Sequence, residues 1–389
     1  MRRRAMGRLH VEVAKYQLNK HGEELCGDSV EVETCPDSTI VVLSDGLGSG
    51  VKANILSSLT TKMAVTMLKG GLKLDEVVEA FVHTLPVCER RQLAYSTFSI
   101  LQIFSDGNVY LAEYDSPPAF IGRGSRLRSV RRSERIIDER KISEAFFSVE
   151  DGDWIVLTSD GVLHAGIGGI WNIGWGWDKV GDYISSAAVR TKLASELAEE
   201  IAEVTSKLYA FKPGDDATVV AIRVRYPRHL TMLVGPPVNP EDDCEVVHKL
   251  LTSPGKKVVC GGTTGNIVAR ILGRPIMVDL TRHDEGVPPI GHLEGIDLVS
   301  EGMLTLSYTL EKLESGIKLR DAAMKCDGAS LLTSLLLEAD CLHIIVGRAI
   351  NPAHQSPDVP RNLALKHKIV QGLVQVLQDM GKTVTVEYY

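Results

Sequence analysis

The 389-residue chain lacks any CxxC pair, any excess of basic charge and any internal repeat. Its seven cysteines (Cys26, Cys35, Cys88, Cys244, Cys260, Cys326, Cys341) are odd in number and scattered. That pattern suggests neither a disulfide framework nor a zinc knuckle, and it suits a reducing cytoplasm. No uninterrupted apolar run reaches about 18 residues, so no membrane span is expected. The basic start at Arg2-Arg3-Arg4 has no apolar segment behind it and does not read as a signal peptide. Fifty acidic side chains against 43 basic ones leave a net charge of −7. A nucleic-acid binder, which must neutralise phosphates with Lys and Arg, is disfavoured. The expectation is a soluble cytoplasmic protein without membrane or nucleic-acid partners.

What is present is enough chain for two cores, with 44% hydrophobic and 24% charged residues. Strand-like alternation runs from Leu9 to Leu18, and a buried strand is expected at Thr39–Leu43. Helical spacing of Ile55, Leu59, Met63 and Met67 predicts a helix over Val51–Lys69, stopped by Gly70-Gly71. A second helix is expected from Leu74. Strands follow at Ser96–Phe104, Gly107–Tyr114, Ala119–Arg123, Glu144–Val149 and Asp153–Leu157. A helix over Leu193–Leu208 precedes a last strand ending at Ile222. Runs of antiparallel strands with paired helices make this half α+β.

Beyond residues 226–229 strand and helix alternate. Strands are read at Leu230–Val234, Lys257–Cys260, Pro275–Leu280, Cys341–Val346 and Thr383–Tyr388. Helices are read at Asp243–Leu251, Asn266–Leu272, Gly302–Glu314 and Asn362–Met380. Such βα units predict a smaller α/β domain with a doubly wound parallel sheet. The expected domains are 1–227 and 228–389.

Chemistry concentrates where apolar strands end in Asp-Gly or Asp-Asp: Asp45-Gly46, Asp160-Gly161 and Asp215-Asp216. One such dipeptide alone reads as a turn. Three are harder to dismiss, because a carboxylate at the end of a buried strand is costly unless paired or holding a cation. Hard oxygen ligands suit magnesium or manganese. Two ions side by side can activate a water and neutralise a phosphoryl group. The glycine after the central Asp is expected to let a backbone carbonyl approach an ion.

The ordered set Gly27-Asp28-Ser29, Leu43-Ser44-Asp45-Gly46-Leu47-Gly48, Leu157-Thr158-Ser159-Asp160-Gly161 and Gly214-Asp215-Asp216-Ala217-Thr218 resembles the metal-dependent type 2C protein phosphatases. Within them it is most similar to the bacterial stage II sporulation protein E group, a resemblance that Ser116-Pro117-Pro118-Ala119 extends. It covers about residues 9–225 and implies an antiparallel β-sandwich flanked by helices (αββα). It also implies two Mn²⁺ or Mg²⁺ ions. Asp45 would bridge them, the Gly46 carbonyl would bind one, and Asp160 and Asp215 would hold the second. Asp28 would contact a metal-bound water. Asp216 is an alternative to Asp215. The implied activity is hydrolysis of phosphoserine or phosphothreonine in a bacterial regulatory protein, by a metal-activated water.

Two positions depart from the eukaryotic members. Leu47 stands where they have a proton-donating histidine, and Glu23 where they have a phosphate-gripping arginine. Lys20 and His21 are the nearby basic residues, in what reads as a solvated loop. The Gly/Trp-rich stretch Gly166–Trp177 suits either a flap or a loop packed on its own aromatics.

In the second half, Cys260-Gly261-Gly262-Thr263-Thr264-Gly265 joins a strand to a helix start whose N–H groups suit a phosphate or carboxylate. It is neither a Walker A sequence nor a full GxGxxG, and a tight strand-to-helix connection explains it equally. Thr281–Asp297 is dense in polar groups (His283, Asp284, Glu285, His292, Glu294) and reads as a crevice loop. By elimination, the role read for this domain is sensing a small ligand or docking a partner. The alternative reading of the whole chain is a non-catalytic signalling scaffold with a metabolite-sensing C-terminal domain.

Overall fold

The computed structural model describes residues 8–84, 96–137, 140–167, 173–279, 290–349 and 359–389. The chain divides into two compact units, up to Tyr226 and from Pro227 onward.

The first unit begins with strands β1 (His10–Leu18), β2 (Asp28–Thr34) and β3 (Ser38–Asp45), then helices α1 (Gly50–Lys69) and α2 (Leu74–Thr84). Strands β4 (Phe98–Phe104), β5 (Asn108–Tyr114), β6 (Phe120–Arg123), β7 (Arg126–Leu127), β8 (Ser133–Ile137), β9 (Arg140–Ser148) and β10 (Asp153–Thr158) follow. A single turn of helix, α3 (Asp160–Leu163), leads to α4 (Trp177–Arg190), α5 (Ala194–Leu208) and the last strand β11 (Ala217–Arg225).

These strands form two antiparallel sheets, β1-β11-β10-β6-β7 and β2-β3-β4-β5-β9-β8. Alternate side chains of each strand face opposite ways, so three apolar layers arise. Val41, Leu43, Leu101 and Leu111 of the larger sheet meet Ile155, Leu157, Val220 and Ile222 of the smaller one in the middle. On the outer face of the larger sheet, Val42 and Ile100 pack under Ala64, Leu68, Val77 and Phe81 of α1 and α2. On the other outer face, Val156 and Val219 pack under Val180, Ile184, Leu197 and Ile201 of α4 and α5. The layering is αββα.

Three strands and two helices here, the single turn α3 and α4, were not read from the sequence. β7 and β8 are short edge strands with mostly exposed or half-exposed residues. β2 alternates Val30 and Val32 with acidic residues. α4 follows directly on the Gly/Trp-rich stretch, though Val180, Ile184 and Ala187 mark its buried side. Of that stretch, residues 168–172, Trp171 included, lie outside the described residues. Trp175 is buried in the α4–α5 core. Trp177 stacks on Phe120 at 4.8 Å and donates to the Pro118 carbonyl at 2.8 Å. These two tryptophans serve their own core and do not form a flap.

The second unit runs β12 (His229–Val234), α6 (Asp243–Thr252), β13 (Lys256–Cys260), α7 (Gly262–Leu272), β14 (Met277–Asp279), β15 (Ile290–Leu293) and β16 (Ile296–Ser300). It continues with α8 (Met303–Glu314), α9 (Leu319–Ala323), α10 (Gly328–Glu338), β17 (Cys341–Val346), α11 (Val359–Asp379) and β18 (Thr383–Tyr388). The sheet order is β14-β15-β16-β13-β12-β17-β18. Strands β16, β13, β12, β17 and β18 are parallel. Helices α8, α10 and α11 cover one face, α6 and α7 the other.

The all-parallel expectation needs correction. β14–β15 and β15–β16 pair antiparallel. The polar stretch read as a crevice loop therefore ends in a hairpin, with His292 on β15 and Glu294 at the turn, 3.6 Å from the Arg274 guanidinium. His283, Asp284 and Glu285 lie outside the described residues. Among the described residues no helix is long and apolar enough to cross a membrane.

Candidate metal centre

The antiparallel register of β2 and β3 makes Asp28 and Asp45 direct cross-strand partners. Asp160 opens α3 immediately after β10, and Asp215-Asp216 immediately precedes β11, the neighbour of β10. The acidic residues thus come from the strand ends of both sheets. Their mutual influence shows that they share one neighbourhood. Burial pushes the Asp45 carboxyl up to about 9, with Asp28, Asp160 and Asp215 adding repulsion. Burial likewise pushes Asp28 up to about 6; the Thr218 and Ser159 hydroxyls pull it back, while Asp216 and Asp160 push further. Asp215 is raised by burial and by Asp160, with Lys20 opposing.

Asp28 is only 2% exposed, and neither of its oxygens has a partner in good hydrogen-bonding geometry among the described residues. A buried carboxylate without a donor or counter-charge is expensive. Acidic side chains gathered in one neighbourhood, one of them without a partner in good hydrogen-bonding geometry, fit a divalent cation such as Mg²⁺ or Mn²⁺. Among the described residues no three acidic, His or Cys side chains are yet drawn close enough to make a finished cation site. Binding would therefore have to pull the carboxylates together.

The two adjacent aspartates do different work. Asp216 is buried and accepts the backbone N–H groups of Lys20 and Gly27, each at 2.9 Å. It ties down the loop entering β2. Asp215 is half-exposed, accepts the Asp216 N–H at 3.0 Å and has the Lys20 ammonium 3.9 Å away. Lys20 is therefore not merely a solvated loop residue.

The glycines after Asp45 and Asp160 are also required by packing. A Cβ on Gly46 would run into the Ala53 backbone of α1, and one on Gly161 into the Asp216 carbonyl. The Gly161 carbonyl accepts from the Tyr209 hydroxyl at 2.7 Å. Glu23 stands at the N-terminal end of α1, where Ser49 Oγ donates to it at 3.2 Å. An acid there suits the helix dipole, which explains why a phosphate-gripping arginine is not found at that position. His164 Nδ1 lies 3.7 Å from Asp160 Oδ2, one helical turn on; that spacing was readable in the sequence. The Tyr209 contact, 48 residues away in the chain, was not.

Residues 36–225 match the family model of stage II sporulation protein E (SpoIIE). The first unit carries a SpoIIE-family domain, a phosphatase domain of the type 2C kind. The stage II sporulation protein E of Priestia megaterium is 25% identical over 222 residues, covering 56% of this chain and 37% of that protein. The chain thus spans little more than a third of that relative's length. Phosphoserine phosphatase RsbX of Bacillus subtilis (strain 168) is 44% identical over 45 residues, covering 12% of this chain and 23% of the relative. The solved phosphatase domain and regulatory fragment of SpoIIE from Bacillus subtilis is 22% identical, with a TM-score of 0.49, covering 57% of this chain and 63% of the other.

Proposed function

We propose that this chain is a metal-dependent phosphatase that hydrolyses phosphoserine or phosphothreonine in a regulatory phosphoprotein. The observation that carries the reading is the orphaned, buried Asp28 carboxylate set directly opposite Asp45. The SpoIIE family match over residues 36–225 supports the reaction class.

In this reading Asp45, the Gly46 carbonyl, Asp160 and Asp215 would hold two Mg²⁺ or Mn²⁺ ions, with Asp45 serving both, and Asp28 would orient water beside them. When bound, such ions supply an activated water nucleophile and neutralise phosphoryl charge. The chain itself does the rest. Asp216 fixes the Lys20–Gly27 loop, so that Asp28 enters β2 in register with Asp45. Lys20 brings an ammonium beside Asp215, placed to attract the anionic substrate. With Leu47 in place of a histidine, His164 beside Asp160 is the nearby group able to carry a proton.

The test is release of phosphate from a phosphoserine peptide by the full chain with manganese and with EDTA. Turnover that requires manganese and disappears in Asp45→Asn supports the reading. Equal rates in wild type and Asp45→Asn would sink it.

A further inference from the structure

At the carboxyl edge of the second unit's sheet, strand ends and helix amino ends converge. From β12 the chain places β13 and β16 on one side and β17 and β18 on the other. Sheets of this kind bind ligands outside the strand carboxyl ends near that reversal. Those ends are stitched together: Gly347 N–H donates to Val234 at 3.0 Å, Gly235 N–H to Cys260 at 3.3 Å and Gly261 N–H to Ser300 at 2.9 Å. The amino ends of α7 and α8 adjoin there, since a Cβ on Gly302 would lie 3.5 Å from the Gly261 Cα.

The two helix ends differ. At α8, Glu301 Oε2 accepts the Leu304 N–H at 3.2 Å, so the chain supplies its own anion. At α7 no side chain caps the helix, and its first backbone bond is Gly265 N–H to Gly261 at 2.8 Å. The N–H groups of Gly262, Thr263 and Thr264 therefore have no intrahelical acceptor. A second observation points the same way. Thr264 is 1% exposed, and its hydroxyl has no partner among the described residues. It is aimed at the turn, because a Cβ on Gly261 would sit 3.0 Å from its Oγ1. A third group is Lys366 of α11. Its Nζ donates to the Gly347 carbonyl, lies where a Cβ on Gly235 would approach to 2.6 Å, and makes no ion pair among the described residues. Burial holds this ammonium below the ordinary lysine value, as suits a cation without a counter-charge.

We propose that this edge binds a small phosphate-bearing molecule, with the α7 amino end and the Thr264 hydroxyl taking the phosphate oxygens and Lys366 supplying the opposing charge. The Gly262, Thr263 and Thr264 N–H groups, the Thr264 hydroxyl and the Lys366 ammonium can all donate, and they are more numerous than the two oxygens of a carboxylate require. The site lies wholly in the second unit and does not depend on the phosphatase reading.

The test is calorimetric titration of inorganic phosphate, with acetate in parallel, into the EDTA-treated full chain. Without metal, the aspartate cluster of the first unit repels anions. Saturable phosphate binding is expected, weakened about tenfold in Lys366→Gln and likewise in the near-isosteric Thr264→Val. Melting temperatures of the unligated variants near that of wild type show that both are folded. Phosphate binding unchanged in Thr264→Val and in Lys366→Gln, no saturable binding in wild type, or acetate binding as tightly as phosphate would each overturn the proposal.

Discussion

Asp28 and Asp45 are paired residue to residue across the β2–β3 ladder, with Asp28 almost wholly buried. Two acids set directly opposite are costly to bury, and Asp28 has no partner in good hydrogen-bonding geometry among the described residues. The arrangement is a cost to the metal-free fold that a cation bound as proposed would offset. Asp28→Asn should raise the melting temperature of the EDTA-treated protein at pH 8, while lowering manganese-dependent turnover at least tenfold. Calorimetry and a phosphopeptide assay on one preparation read both effects. A variant that melts lower than wild type in EDTA would show that the pair is not a source of strain.

The same carboxylates give the metal-free protein a pH dependence of definite sign. Asp28 and Asp45 are raised from about 3.8 in the unfolded chain to about 6 and about 9 in the fold. A raised acid binds its proton more tightly when folded, so the stability it contributes is present at low pH. It is lost as pH rises through the folded values. Melting of the EDTA-treated chain, attributed by comparison with an Asp28→Asn/Asp45→Asn double variant, should fall between about pH 5 and pH 9. Saturating manganese should remove or reverse that fall, because the ions bind the deprotonated form.

Asp215 and Asp216 should separate cleanly. Asp216→Ala removes the acceptor of two backbone N–H groups at 2.9 Å and should cost about 2–3 kcal/mol of stability. Asp215→Ala should leave stability nearly unchanged but weaken manganese binding about tenfold or more, if the proposed ligand set is right. Urea unfolding and metal titration distinguish the two. A reversal of the two outcomes would assign the ligand to Asp216.

Gly46→Ala tests the contact between β3 and α1. The added methyl meets the Ala53 backbone rather than a flexible side-chain end, so α1 must move. A loss of about 1–3 kcal/mol is expected, the usual cost of overpacking. Turnover should fall too, since Gly46 adjoins Asp45. An unaltered melting temperature would mean that α1 shifts freely.

Lys20→Gln should raise KM for a phosphopeptide more than it lowers kcat, because the ammonium beside Asp215 acts on a charge the substrate already carries. The effect should shrink with added salt. Equal kinetics at low salt would return Lys20 to the role of a loop residue.

The strands β3, β10 and β12 were legible in the sequence because burial on both faces leaves them mostly apolar. So were α1 and α5, from their spacing and stops. β7 and β8 were not, since an edge strand can satisfy its exposed face with charge and carries no apolar signature. The β15–β16 hairpin was hidden for a similar reason: its polar residues read as a loop.

The sequence alone determined which strands end in carboxylates and in what order, because a strand's apolar run and the Asp that ends it are contiguous in the chain. It also determined that Asp45 and Asp160 are each followed by glycine. Only the tertiary structure decided that Asp216 holds the Lys20–Gly27 loop, leaving Asp215 half-exposed beside Lys20. Asp215 lies in the bend before β11, and which of the two neighbours faces the loop depends on groups nearly 200 residues away in the chain. The unpaired Asp28 carboxylate is likewise a property of packing, since no residue type announces that its partner is missing.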